Sequence, residues 1–478
     1  MITTERMAAV DRNAAALGVS QKQLMESSGN AVARTVRSVA DDGASIAVVA
    51  GRGNNGGDAF VTARFLDEFD VRVALLGRPE TITTDIAREN WEALQTAEYD
   101  TSTVTDSSEF TLADPDVIVD AMLGTGITGK LREPMRTAAR RINAADATVV
   151  AVDVPSGVDA DTGVAAGTAV EADRVVTFHD MKPGLADRDD VIVVDIGIPS
   201  AAERFVGPGD LLHLDRPADS HKGDFGRIYV IGGGPYTGAP ALTAQAALRA
   251  GADLAYVACP SAIAEQIQGY SADLIIEPFA GDRLDVDDVG SLVESADDRD
   301  VVVIGPGIGD ARPTIDAVRR FLETVQGTVL VDADALEVVP DVDTTATLIC
   351  TPHRGELREM GGPSAEQWDE RARVVESFAA ELGHTFLVKG PYDVISDGET
   401  TRINRTGNPG MTVGGTGDVL AGVTAAMACR RPPVLAAAIG AYVAGKAGDA
   451  VVAEQGYGMV ASDLLTVLPP TIRGDDHE

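Results

Sequence analysis

The feature that most restricts the fold is an alternation repeated along the chain. A short run of β-branched and aliphatic residues ends at a Gly-rich turn, and a helical pattern follows. Such alternation builds parallel sheets with helices on both faces. In the first half the runs fall at 45–50, 71–76, 117–120, 148–153, 174–178 and 191–195, after helical segments at 4–17 and 20–40. Thr3 or Thr4 and Ser20 are placed to cap those two helices. In the second half the runs fall at 227–232, 254–258, 301–304, 328–331, 347–350 and 385–388. A hairpin is expected over 392–396 and 400–404 around Asp397-Gly398, then helices near 416–430, 433–454 and 462–468. Residues 197–221 hold three prolines and no sustained periodicity. They place a boundary near 215–220 and predict two α/β domains, 1–217 and 218–474.

Charge narrows the function. The 478 residues carry 74 acidic against 39 basic side chains, a formal charge of −35. That balance disfavours nucleic acid and anionic membranes as partners, because both need a dense cationic face. Only six of the basic residues are lysines, namely Lys22, Lys130, Lys182, Lys222, Lys389 and Lys446. An acidic, lysine-poor surface suits very high salt, where self-repulsion is screened, and points to a halophile's cytosolic protein. Cys259, Cys350 and Cys429 are an odd, scattered set that fits a reducing compartment. The N-terminus lacks a signal-peptide core, and the apolar run 433–445 is too short to span a bilayer. A soluble cytoplasmic protein is expected.

The first half carries two near misses and one constellation. Gly51-x-Gly53-x-x-Gly56 follows a strand and precedes a helix, as a dinucleotide fingerprint would, but the second strand ends Leu75-Leu76-Gly77-Arg78 without the required carboxylate. What remains is a loop whose glycines permit close approach and whose helix offers N–H groups to an anion. Asn54, Asn55 and Asp58 add oxygens suited to a hard cation or to ribose hydroxyls, or they form an Asn-Gly turn with a capping Asp. Gly124-x-x-x-x-Gly129-Lys130 has phosphate-loop spacing, but Leu131 replaces the hydroxyl that would hold magnesium. Asp120 and Asp153 end two strands and should face the same crevice, with helix capping as the plainer alternative.

In the second half, residues 408–422 read NPGMTVGGTGDVLAG. Gly414, Gly415 and Gly417 form a turn into a helix whose free N–H groups would stabilise a transferring phosphoryl, with Asp418 placed to accept a hydroxyl proton. GPGIG (305–309), DADAL (332–336), TPHRGE (351–356) and VKGPYD (388–393) follow other strands. They supply Asp332, Asp334, His353, Glu356 and Lys389, the last a point charge for a phosphate.

GNNGGD, DAMLGTGITG and DVPSGVD, in that order over about residues 1–215, resemble NAD(P)H-hydrate epimerase. The resemblance implies a Rossmann-like three-layer αβα domain. It also implies that Asn54, Asn55, Gly56, Gly57 and Asp58, with Gly124, Thr125, Gly126, Ile127, Thr128, Gly129 and Lys130, hold the substrate. Asp153 would act on its damaged nicotinamide ring, and Asn55, Asp120 and Ser156 would hold K+. Lys182 in KPG (182–184) is a further family-like feature with no assigned role.

GAPAL, GPGIG, TPHRGE, VKGPYD and GMTVGGTGD, over about residues 220–472, resemble the ADP/ATP-dependent NAD(P)H-hydrate dehydratases of the ribokinase-like fold. That resemblance implies that Ala239, Gly307, His353 and Asp418 contact the hydrate, with Asp418 catalytic. Lys389, Gly390, Pro391, Tyr392, Asp393 and Gly417 would bind ADP or ATP with Mg2+. The family turn usually carries a hydroxyl residue where this chain has Gly232-Gly233-Gly234. The expectation is a bifunctional repair enzyme, isomerase and lyase, acting as a homo-oligomer on small molecules. The alternative is a ribokinase-like small-molecule kinase fused to a nucleotide-binding module.

Overall fold

The structure is a computed structural model that describes residues 1–126, 129–212, 214, 216–363 and 365–474. Contacts divide the chain into units Met1–Ala202 and Glu203–Glu478. The sheet of the first unit contains β1 (Ser45–Ala50), β2 (Asp70–Leu76), β3 (Asp100–Val104), β4 (Val117–Ala121), β5 (Thr148–Val152), β6 (Arg174–Phe178) and β7 (Val191–Val194). Its order is β3-β2-β1-β4-β5-β6-β7, parallel throughout. The β4 run VIVDA is buried along its whole length, as a strand covered on both faces must be. Thr3 and Ser20 cap the first two helices, Thr4–Ala16 and Gln21–Val39, and Ser20 exchanges hydrogen bonds with Gln23 in a capping box.

The second unit contains β8 (Arg227–Ile231), β9 (Leu254–Pro260), β10 (Ile275–Phe279), β11 (Val301–Ile304), β12 (Thr328–Val331), β13 (Thr347–Cys350), β14 (Thr385–Val388), β15 (Asp393–Ser396) and β16 (Thr401–Asn404). The order β10-β9-β8-β11-β12-β13-β14-β15-β16 is parallel up to β14, and the expected hairpin adds β15 and β16 antiparallel. In each sheet the strand order reverses beside the first strand, between β1 and β4 and between β8 and β11. Loops at the C-terminal ends part there and leave a crevice.

Two strands have no counterpart in the sequence reading. β3 (DTSTV) and β10 (IIEPF, with Pro278) lie at sheet edges, where a strand can stay polar or carry proline because one side needs no partner. The helix Pro433–Gln455 is long and apolar enough to cross a membrane by composition, yet it is mostly buried in the core of the second unit.

Residues 203–212, which periodicity places in the first domain, fall instead in the second unit. Phe205 bridges Ile403 in parallel, and the Val206 amide donates to the Ile403 carbonyl at 2.9 Å, which extends the sheet past β16. Asp210 is 1% exposed and accepts from Arg402 Nη2 at 2.9 Å on both oxygens and from the Gly207 amide at 2.8 Å. Local periodicity could not show this, because the partner lies nearly two hundred residues away. Removing one member of a buried pair strands the other charge. Asp210→Ala should therefore cost about 3–5 kcal/mol of the second unit's stability in urea unfolding.

Candidate functional site

The crevice between β1 and β4 opens into a cavity of about 480 Å³ lined by Asn54, Asn55, Asp58, Gly124, Thr125, Gly126 and Asp153. The two motif loops and the β5 strand end therefore meet. The glycines are needed for backbone packing: a Cβ on Gly51 would lie 1.8 Å from the Met122 carbonyl oxygen, and one on Gly56 2.1 Å from that of Gly51. Gly56 and Gly57 are buried behind the wall rather than in it. The helix Asn54–Arg64 has no side-chain cap, so its first turn offers N–H groups to the cavity. Gly129 and Lys130 are exposed farther along the second loop, and Ile127 and Thr128 lie outside the described residues.

Asp153 adopts φ +66°, a conformation unusual for a residue with a side chain, at the turn that ends β5. Its Oδ1 accepts from Thr177 at 3.0 Å and pairs with Lys182 Nζ at 3.2 Å. Lys182 is 1% exposed and also donates to the Phe178 carbonyl at 2.8 Å. Two more carboxylates face this pair. Burial pushes Asp58 well above the usual carboxylate range; a hydrogen bond from Ser28 opposes this, while Asp153 and Asp11 add to it. Asp11, from the first helix, is pushed up to about 6 by burial and by Asp153.

Asp120 is fully buried beneath the loops. Its oxygens accept from the Ser156 hydroxyl at 2.7 Å and the Ser156 amide at 2.8 Å, and burial raises it to about 6. A Cβ on Gly124 would touch the Asn55 side chain, whose buried Nδ2 has no hydrogen-bond partner. Turning that amide over would present Oδ1 instead.

In the second unit, Gly415 at φ +96° starts the helix Thr416–Ala428 without a side-chain cap. Its first-turn N–H groups are therefore available to an anion. Asp418 lies in that turn; burial and Asp332 raise it to about 7, against the lowering effect of Lys389. Lys389 Nζ lies 3.0 Å from Asp332 Oδ1 and 3.8 Å from Glu356, and 3.6 Å from where a Gly417 Cβ would stand. Burial alone would lower Lys389, but Asp332 and Glu356 hold it above its ordinary value. Thr351 donates to Asp332 at 2.7 Å.

His353 Nδ1 accepts from the amides of Gly355 and Glu356 at 3.0 and 2.9 Å, which leaves Nε2 to carry the proton on an exposed ring. Gly307, at φ +72°, packs against Tyr236 and Ala239, so that predicted pair is adjacent at the β8/β11 crevice. In the loop 389–393, Asp393 accepts from the Gly390 amide at 2.8 Å and from Asn404 at 2.9 Å, which braces the turn. Burial raises Asp393 to about 6. Pro391 is exposed, and Tyr392 stacks on Trp368 with ring centres 5.7 Å apart.

Sequence reasoning missed Asp11, Ser28, Thr177 and Thr351. One signal was available for Asp11: it follows Met7 at i+4 on the same helix face, where an apolar residue would be ordinary, and both line the cavity.

The sequence pattern described as NAD(P)H-hydrate dehydratase matches residues 228–470, and that described as YjeF-related protein N-terminus matches residues 21–184. The chain is 44% identical to the bifunctional NAD(P)H-hydrate repair enzyme Nnr of Pyrobaculum aerophilum, over 99% of this chain and 98% of that one. It is 41% identical to the enzyme of the same name from Methanothermobacter thermautotrophicus, over 97% and 93%. A crystal structure of a ribokinase-like superfamily protein from Enterococcus faecalis matches with TM-score 0.50 and 25% identity, over 56% of this chain and 95% of that one.

The close approaches at the first crevice make a stability prediction. Gly56→Ala should lower the first unit's unfolding free energy by about 3 kcal/mol. Gly126→Ala, with nothing within 4 Å of the added Cβ, should leave it unchanged in the same calorimetric scan.

Proposed function

The chain belongs to the family of bifunctional NAD(P)H-hydrate repair enzymes, and from that premise we propose how its two sites divide the work. The first unit interconverts the R and S hydrates of NADH and NADPH. The second dehydrates the S form to NAD(P)H at the expense of ADP or ATP. The observation that carries this reading is the grouping of Asp418, Lys389 and Asp332 at an uncapped helix N-terminus.

A ring-bound hydroxyl is a poor leaving group. Asp418 takes its proton as the oxygen attacks the terminal phosphoryl of the nucleotide. The N–H groups of residues 416–418 and the ammonium of Lys389 stabilise the charge that spreads over the transferring oxygens. The ring nitrogen's lone pair then expels phosphate, and loss of a proton from the neighbouring carbon restores the double bond. His353 Nε2–H, Ala239 and Gly307 border the hydrate. Lys389 to Asp393 and Gly417 border the nucleotide. Mg2+ would enter with the nucleotide, bound mainly by phosphate oxygens, and would neutralise charge on them. Asp332, beside Lys389, is a suitable carboxylate for it.

In the first unit, Asn54, Asn55, Asp58 and the loop from Gly124 to Lys130 border the phosphates and ribose, and Asp153 borders the damaged ring. The buried Asp120 carboxylate, the Ser156 hydroxyl and the unsatisfied Asn55 amide form an all-oxygen donor set, given the turned amide, that fits K+. A cation there would fix the loops at 54–58 and 123–126 and offset charge on the substrate. The charge of −35 and the scarcity of lysine support a cytoplasm of high ionic strength as the working environment.

Incubated with mixed hydrates and ADP, the protein should consume both epimers. Asp418→Asn should still exchange the epimers while dehydration falls by about 10³-fold, read from recovery of reduced-nicotinamide absorbance. Loss of both activities in a folded variant would contradict separate sites. Because Asp418 must be ionised to act as a base, dehydratase kcat/KM should fall as pH drops through about 7. An Asp332→Asn variant, which removes the neighbouring charge, should move that limb to lower pH.

A further inference from the structure

One acidic group in the first cavity has no role in the reading above. Asp11 lies on the helix Thr4–Ala16, outside the sheet, and lines the cavity together with Asp153, Asp58 and Lys182. Asp153 reaches the same space from the C-terminal edge of the sheet. Two carboxylates on different elements thus border one cavity, and their surroundings differ. Asp153 accepts from Thr177 and pairs with Lys182. Asp11 is bordered by the charge of Asp153, with Asp58 alongside, against Lys182 and His179.

We propose that Asp11 is a second acid–base residue of the epimerisation, serving the ring from the helix side while Asp153 serves it from the sheet side. The proposal rests on the epimerase reading of this cavity. The carbon to be inverted is bonded to a hydroxyl and to the ring nitrogen. The C–O bond breaks as one carboxylic acid gives its proton to the departing hydroxyl, which leaves as water, and the nitrogen lone pair closes a C=N bond. Water then adds to the opposite face, the other carboxylate takes its proton, and the nitrogen recovers its electron pair. No atom or electron is gained overall, and one proton has passed from one carboxyl to the other. In the reverse direction the two residues exchange roles, so the reaction needs one of them charged and the other protonated. Burial and the Asp153 charge push Asp11 up to about 6, so Asp11 is able to hold the proton that one of the two must carry. Lys182 acts through Asp153 and positions it.

The test uses the full chain with the R hydrate of NADH and no nucleotide, so that the second site is silent. Epimer exchange is followed by chromatography across pH. Asp11→Asn should slow exchange by about 10²–10³-fold with KM little changed, and the alkaline limb of the wild-type profile should disappear. Asp11→Glu, which restores an acid, should recover exchange to within about tenfold and move the alkaline limb. Exchange at the wild-type rate in Asp11→Asn overturns the assignment. So does an Asp11→Glu chain as slow as Asp11→Asn when both unfold at the wild-type temperature. A wild-type chain that exchanges nothing overturns the epimerase reading itself, and that result is separate from either of these.

Discussion

An ammonium held among carboxylates at the C-terminal edge of a parallel sheet, buried in the first unit and partly buried in the second, is the arrangement both candidate sites depend on. Lys182 sits beside Asp153 at 3.2 Å in one unit, and Lys389 beside Asp332 at 3.0 Å in the other. Neither partner would be tolerated alone. An unpaired buried charge costs several kcal/mol, and crowded carboxylates without a cation would simply protonate. Around each lysine stand more acids than it can neutralise: Asp58 and Asp11 in the first unit, Glu356 and Asp418 in the second. Asp11, pushed up to about 6, and Asp418, pushed up to about 7, can hold protons near neutrality, as acid–base chemistry on a hydroxyl requires. In a chain with six lysines, two are committed to these positions.

Strand order explains why the motifs meet. Parallel strands put successive βα turns on one edge, and the reversal of order between β1 and β4, and between β8 and β11, opens a gap into which those turns face. The alternation of apolar runs and Gly-rich turns made this architecture legible before any coordinate. Asp120 and Asp153 could be placed at neighbouring strand ends for the same reason. The edge strands β3 and β10 were not legible, because polar edge strands carry little periodic signal. The docking of residues 205–210 on β16 depends on a pair distant in sequence, Asp210 with Arg402, and no local pattern encodes it.

The candidate sites were legible in their loops and silent in their supports. Asn54, Asp58, Lys389 and Asp418 lie in Gly-rich turns whose composition announces close approach to a ligand. Asp11, Ser28 and Thr351 lie on ordinary helices or just past a strand end, and only packing brings them to the same groups. Gly51 and Gly56 looked like phosphate-approach glycines, yet their missing side chains are required by the backbone behind the loop. Three-dimensional closeness, rather than residue type, separates these roles.

The central claim is that water is lost only after its oxygen has received a phosphoryl group at the helix beginning with Thr416. The most direct measurement gives purified S hydrate to the protein with ADP present or omitted and follows reduced nicotinamide and free phosphate together. The account predicts one phosphate released per cofactor restored, and no restoration without nucleotide. Restoration at an equal rate with ADP left out would contradict it.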